Sequence, residues 1–104
     1  MSDDRQLFSV VVTEDGCLAL SGELDLLTVR DLNDALGTRN GARDVTLDVS
    51  GLTFIDSSGL HAIVTFLRSR EPEGTVTLRG VSPELLRILE ITQLTKLPRL
   101  LVDG

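Results

Sequence analysis

Apolar and polar positions alternate in several short segments of the chain, and such alternation predicts β-strands. The predicted strands cover residues 7–12, 17–20, 45–49 with an extended continuation over 52–55, and 75–79. Glu14-Asp15-Gly16 has the composition of a tight turn and joins the first two strands into a hairpin. The apolar tail over residues 97–102 adds either a further strand or a packing segment.

Three segments between or after these strands carry apolar residues at helical spacing. In the first, Thr28 can cap the helix, with Asp31 three residues later as a short variant of the capping box. The second begins at Ser57 or Ser58. The third has a strong start signal in residues 82–84, where a capping serine precedes a proline and an acid.

This order of elements predicts a single α/β domain over residues 1–104. We expect a small mixed sheet with the N-terminal hairpin as its antiparallel edge and the helices mainly on one face. Gly22-Glu23-Leu24-Asp25 and Asp56-Ser57-Ser58-Gly59 each follow a strand and precede a helix. Because functional loops cluster beyond the carboxyl ends of strands, we expect these two loops to lie side by side.

Composition narrows the functional classes. The 104 residues carry a net charge of −6 and three aromatic side chains, a combination that disfavours binding of nucleic acid. Cys17 is the single cysteine and is interpreted as a buried structural thiol. Without a signal-peptide pattern or an apolar run near 18 residues, the expected location is cytoplasmic, with no direct membrane contact.

Asp56-Ser57-Ser58-Gly59 places two hydroxyls at the start of a helix, where free N–H groups favour added negative charge. One serine is expected to cap the helix, which leaves the other available for phosphorylation. Asp56 has two possible roles, contact with a partner or hydrogen bonding to the helix amides, and the structural role is favoured.

The same residues also allow an enzymatic interpretation. Ser57 and His61 are four residues apart and share a helix face, as two members of a hydrolytic triad could. The chain lacks a Gly-x-Ser-x-Gly elbow, however, and both residues lie on the first turn of one helix. A metal site built from Asp25, Asp48 and Asp56 is disfavoured because these acids lack ligand spacing. We therefore expect neither an enzyme nor a bound cofactor or metal.

Three segments together resemble the STAS domains of bacterial anti-sigma factor antagonists. They are residues 21–25 (Ser-Gly-Glu-Leu-Asp), residues 45–60 and residues 81–83 (Val-Ser-Pro). The second segment is the most specific, and the similarity extends over nearly the whole chain in order. One departure lies at Thr92-Gln93-Leu94, where relatives often end the last helix with glycine. Because Gln is strained in a left-handed conformation, we expect this helix to continue or to end differently.

The resemblance implies a phosphorylation switch at Ser57. The unphosphorylated protein would bind an anti-sigma factor, a serine kinase of the histidine-kinase-like ATPase type, and release the sigma factor. Phosphorylation would end binding, and a metal-dependent PP2C-type phosphatase would reverse it. The implied partner contacts are Asp25, Glu23, Asp56, Ser58, Gly59 and His61, of which Asp25 is favoured over Glu23 and His61 is peripheral. Both acids also have structural alternatives, a turn cap for Asp25 and a solvated loop position for Glu23.

A STAS domain could instead serve as a scaffold in a stress-sensing complex or as an accessory subunit of a membrane transporter. The sequence does not indicate an oligomeric state. Leu85, Leu89, Ile91 and Leu94 could form an apolar surface for a partner or a second copy, although packing against the sheet is the favoured use for most of them.

Overall fold

A five-stranded sheet with three α-helices and a short 3₁₀ helix accounts for residues 8–70 and 72–104, which the computed structural model describes. The strands are β1 (Phe8–Val12), β2 (Leu18–Leu24), β3 (Asp44–Ile55), β4 (Thr75–Arg79) and β5 (Leu100–Asp103). The helices are α1 (Val29–Gly37), α2 (Ser57–Arg68), α3 (Pro83–Ile91) and the 3₁₀ helix Leu94–Lys96. Leu7, which was assigned to the first predicted strand, lies outside the described residues.

The strands lie in the sheet in chain order, β1-β2-β3-β4-β5. β1 pairs antiparallel with β2, and every later pair is parallel. Each parallel connection therefore crosses over in the same direction, and right-handed crossovers place α1, α2 and α3 on one face of the sheet. The predicted mixed sheet, hairpin edge and one-sided helices are confirmed.

The hydrophobic core lies between the sheet and this helical layer. Alternate residues of the central strands are buried, as Val45, Leu47 and Val49 show in β3, while Thr46 and Asp48 face the opposite side. Leu32, Ile63 and Leu89 come from α1, α2 and α3 in turn and complete one contiguous core. Cys17 is buried, as expected. None of the helices in the described ranges has the length and apolar character that a membrane crossing requires.

β3 is longer than predicted because Ser50-Gly51 does not interrupt it. Ser21 pairs with Gly51 and Gly22 with Leu52, after a register shift that lets β2 follow β3 to its end. A Cβ atom on Gly51 would lie 2.9 Å from the carbonyl oxygen of Leu20, so glycine permits the close approach of the strands. As a result, β2 and β3 end together, at Leu24 and Ile55, which positions the two predicted functional loops.

The expectation that α3 would avoid a left-handed ending was wrong. Gln93 adopts φ = 64°, immediately after the last turn of the helix. Its N–H donates to the carbonyl of Glu90 at 3.0 Å, so the turn closes despite the unfavourable backbone angle. Leu85 and Leu89 are buried and Leu94 packs against the core, whereas Ile91 is 71% exposed.

Candidate functional site

Asp56, rather than either serine, caps the start of α2. Its backbone is extended, and its Oδ1 accepts hydrogen bonds from the N–H groups of Ser58 at 2.9 Å and Gly59 at 3.3 Å. The prediction that a serine caps this helix was wrong, because Ser57 is already the first helical residue. The structural role favoured for Asp56 is confirmed.

Both serine hydroxyls are therefore available for other chemistry. Ser57 is exposed and Ser58 is half-buried. Ser57 lies at the amino end of a twelve-residue helix, where the macrodipole is positive. The arrangement presents the Ser57 hydroxyl to solvent, at a position where added negative charge is compatible with the helix.

Gly59 fixes how closely the first turn of α2 approaches the sheet. It is buried, and a Cβ atom there would lie 2.7 Å from Cγ of Leu24 and 2.9 Å from Cγ1 of Ile55. The N–H of Asp56 donates to the carbonyl of Leu24 at 3.1 Å, which ties the start of α2 to the end of β2. Glycine at this position therefore sets how closely the first turn of α2 packs on the ends of β2 and β3.

Asp25 shapes the loop that joins β2 to α1. Its Oδ1 accepts hydrogen bonds from the N–H groups of Leu27 at 3.0 Å and Thr28 at 3.1 Å. Thr28 Oγ1 donates to the carbonyl of Glu23 at 2.7 Å, and Glu23 itself is exposed. Thr28 precedes α1 as predicted but its side chain does not cap the helix, because its hydroxyl bonds back into the loop.

A groove of about 720 Å³ lies between α1 and α2, directly beside Ser57. Leu26, Val29 and Asn33 line one wall. The other wall is lined by residues of α2, namely Ser57, Ser58, His61, Ala62 and Thr65. The two loops thus lie side by side as expected, and the groove brings Ser57, Ser58 and His61 together. Glu23, near the end of β2, and Asp25, in the loop that follows, are not among the residues that line the groove.

His61 is exposed one helical turn after Ser57. Its Nε2 lies 3.4 Å from Oγ1 of Thr65, four residues further on. Within residues 8–70 and 72–104, no carboxylate accepts a hydrogen bond from His61, so the geometry contains no acid that would orient it as a base towards Ser57. Over the same ranges, no group of three or more His, Cys, Asp or Glu side chains is arranged to hold a metal ion.

The shifted pKa values in the described part of the chain belong to residues away from this groove, on the face of the sheet opposite the helices. Arg79 is 3.3 Å from an oxygen of Asp15 and 3.4 Å from one of Asp48. Hydrogen bonds from Thr13, Cys17 and Arg79 hold the pKa of Asp15 well below its usual value. Hydrogen bonds from the hydroxyl and N–H of Ser50, and the nearby Arg79, lower the pKa of Asp48. This network joins the hairpin turn to β3 and β4 and is separate from Ser57.

Comparison of the chain with known proteins identifies its family. Residues 11–103 match the family model described as "Mlab, STAS domain". An anti-sigma-B factor antagonist of Staphylococcus aureus is 32% identical over 81 residues, which are 75% of each chain. The chain belongs to the STAS-domain family of anti-sigma factor antagonists.

Solved structures similar to this STAS domain support the same fold. An anti-sigma factor antagonist from Mycobacterium paratuberculosis has a TM-score of 0.76 at 22% identity, over 97% of this chain and 90% of that one. The Bacillus cell fate determinant SpoIIAA in its phosphorylated form has a TM-score of 0.66 at 21% identity, over 94% and 91%. At these identities the likeness concerns the fold.

Sequence reasoning did not identify the groove beside the serine of this STAS domain. Thr65 follows Ser57 and His61 at the same four-residue spacing, so helical periodicity could have indicated that these three share one face. Asn33 and Leu26 lie on the opposite wall. Their proximity to Ser57 depends on how α1 packs against α2, for which the sequence contains no local signal.

Proposed function

We propose that the unphosphorylated protein binds an anti-sigma factor that is also a serine kinase, and so releases the sigma factor. Phosphorylation of Ser57 by this kinase ends the interaction. The observation that carries the proposal is the exposed Ser57 hydroxyl, which begins α2 but is relieved of capping by Asp56. The names of the similar proteins add support: one is an anti-sigma-B factor antagonist, and another was solved in a phosphorylated form.

The physical effect of a phosphate at this position is a change of surface. It adds about −1.5 to −2 charges at the rim of the groove, while the packing of Gly59 beneath it needs no rearrangement. Facing a partner carboxylate about 6 Å away, it would cost roughly 1–5 kcal/mol for effective dielectric constants from about 80 to 20. That corresponds to about a tenfold to a few-thousand-fold loss of affinity, enough for a switch.

The other predicted contacts fall into residues that line the groove and residues outside it. Ser58 and His61 share the groove with Ser57, whereas the acids Glu23, near the end of β2, and Asp25, in the loop after it, do not line the groove. Asp25 and Asp56 support binding chiefly by holding the two loops in place, since each accepts hydrogen bonds from the backbone N–H groups two and three residues later in the chain. An acidic loop beside a hydroxyl is suited to a partner surface with basic residues around its phosphate-transferring site.

Under this proposal the protein is a substrate and binding partner in the cytoplasm, and it is not itself an enzyme. ATP and its metal ion belong to the kinase. A PP2C-type phosphatase hydrolyses the Ser57 phosphate with its own metal and restores binding. The protein itself needs no cofactor.

Mass spectrometry after incubation with ATP and the candidate kinases of the same genome tests the proposal. We expect one phosphate on the wild-type protein and on Ser58→Ala, and none on Ser57→Ala. Ser57→Ala should still bind the kinase, whereas Ser57→Glu should lose binding. Equal phosphorylation of wild type and Ser57→Ala would refute the assignment of the site.

A second candidate function is a subunit role in another STAS assembly, such as a stress-sensing complex or a membrane transporter. The observation that favours it is the description of the matching family model, which names Mlab rather than an anti-sigma antagonist. Affinity purification separates the two functions. Recovery of a membrane ATPase without any anti-sigma factor would favour the transporter role.

A further inference from the structure

Two adjacent leucines project from the loop between β2 and α1. Leu26 is 72% exposed and Leu27 is 88% exposed. A single exposed leucine is common on protein surfaces, but here Leu27 adjoins Leu26, which lines the groove together with Val29 and Ala62. The result is an apolar projection next to the Ser57 hydroxyl.

The loop holds this projection in a defined shape. The carboxylate of Asp25 accepts a hydrogen bond from the N–H of Leu27, and the carbonyl of Asp25 accepts one from the N–H of Val29 at 2.8 Å. Oγ1 of Thr28 accepts from the N–H of Asp25 at 3.0 Å and donates to the carbonyl of Glu23 at 2.7 Å. Because the backbone of the loop is already ordered, burying the leucines against a partner costs little additional backbone entropy.

The charges around the leucines limit what can cover them. Glu23 and Asp25 precede them, and Asp31 and Asp34 are exposed on α1, with Arg30 as the single basic residue between positions 23 and 34. An anionic lipid surface would be repelled by this rim. A protein surface with an apolar recess and basic residues at its edge is complementary to it.

We propose that Leu26 and Leu27 form the apolar anchor by which this chain docks on its anti-sigma factor, and that they determine which anti-sigma factor it recognises. This inference rests on the proposed function. It also extends the account of the switch, because Leu26 and Ser57 line the same groove. A strongly hydrated phosphate on Ser57 keeps water in the groove and prevents the partner from closing over Leu26.

Calorimetric titration of the cognate anti-sigma factor with Leu26→Ala, Leu27→Ala and the double variant tests this inference. Leu101→Ala is the matched control, since Leu101 is a leucine that is 53% exposed but lies in β5 and does not line the groove. We expect each single variant to bind about tenfold more weakly, the double variant more weakly still, and the control like wild type. Circular dichroism should show wild-type folding for all of them, because the truncated side chains are exposed.

Ser57→Glu, measured in the same series, distinguishes the two proposals. If wild type binds, Ser57→Glu does not, and the leucine variants bind like wild type, the anchor is overturned while the switch stands. If Ser57→Glu binds normally and the leucine variants are weakened, the switch fails and the anchor stands. If wild type binds no anti-sigma factor of its genome, both proposals are overturned.

Discussion

Asp56 and Ser57 are neighbours in the chain but have different structural roles: Asp56 caps α2, and Ser57 is its first residue. A carboxylate at the residue before the helix reaches the N–H groups of Ser58 and Gly59. The following residue, Ser57, is already inside the helix and is exposed. At the scale of the residue, the site therefore combines an acid that caps the helix with an exposed serine that does not.

Replacement of Asp56 by alanine tests the capping role. Loss of the two hydrogen bonds from the first turn should destabilise the protein by about 1 kcal/mol, whereas Asp56→Asn should retain most of the stability. Urea denaturation measures both. If Asp56→Ala were as stable as wild type, the carboxylate would not be what holds the start of α2.

Gln93 offers a second test at the same scale. A non-glycine residue in the left-handed region is strained, so Gln93→Gly should raise the free energy of unfolding by about 1 kcal/mol. Gln93→Ala keeps the strain and serves as the control, with no gain in stability. Arg99 is also left-handed, at φ = 70°, but its side chain donates to the carbonyls of Leu67 and Gly74. Glycine at Arg99 would lose these bonds, and so the gain is specific to Gln93.

Gly59 acts at the scale of the element, since it determines how α2 rests on the ends of β2 and β3. Gly59→Ala places a methyl group within 3 Å of Leu24 and Ile55. We expect a loss of about 1–3 kcal/mol in the free energy of unfolding, and a displaced Ser57. Gly37→Ala, in the last turn of α1 where a Cβ meets nothing within 4 Å, is the matched control and should be neutral or slightly stabilising. Equal thermal unfolding of the two variants would contradict the close packing of α2.

Element boundaries were predictable where the signal is local. The start of α3 at Ser82-Pro83 was predicted from capping chemistry, and the structure shows Ser82 Oγ accepting from the N–H of Leu85 at 3.1 Å. The continuity of β3 through Gly51 was not predictable, because it depends on pairing with β2. The role of Thr28 was not predicted either. Its hydroxyl donates to the carbonyl of Glu23, five residues earlier in β2, and the sequence pattern does not encode the shape of the loop between them.

At the scale of the whole molecule, the mixed sheet, its hairpin edge and the placement of the helices on one face were predictable from the alternation of elements and the handedness of crossovers. The position of Ser57 followed too, because β2 and β3 run parallel and end at the same edge of the sheet. The groove between α1 and α2 could not be predicted from the sequence, since it depends on how the two helices pack and not on either helix alone. A groove of this kind can be located only once the packing of the helices is known.

The network on the open face of the sheet makes a prediction about acid stability. Asp48 accepts from the hydroxyl of Ser50 at 2.7 Å and from its N–H at 3.0 Å, and its pKa is lowered from the ordinary 3.8. A carboxyl whose native pKa is below its unfolded value contributes stability above the unfolded pKa, and this contribution disappears as the pH falls through the native pKa. Wild type should therefore lose this contribution below about pH 4.

Ser50→Ala removes the hydroxyl donor and should raise the pKa of Asp48 towards 3.8, as measured by carboxyl-carbon NMR titration. The stability difference between wild type and Ser50→Ala should be largest near neutral pH and shrink as the pH falls below 4, because protonated Asp48 no longer benefits from the donor. Ser58→Ala, remote from this face, should leave the Asp48 titration unchanged. A stability difference that stayed constant from pH 7 to pH 2 would show that Ser50 acts through packing or backbone propensity rather than through the charge of Asp48.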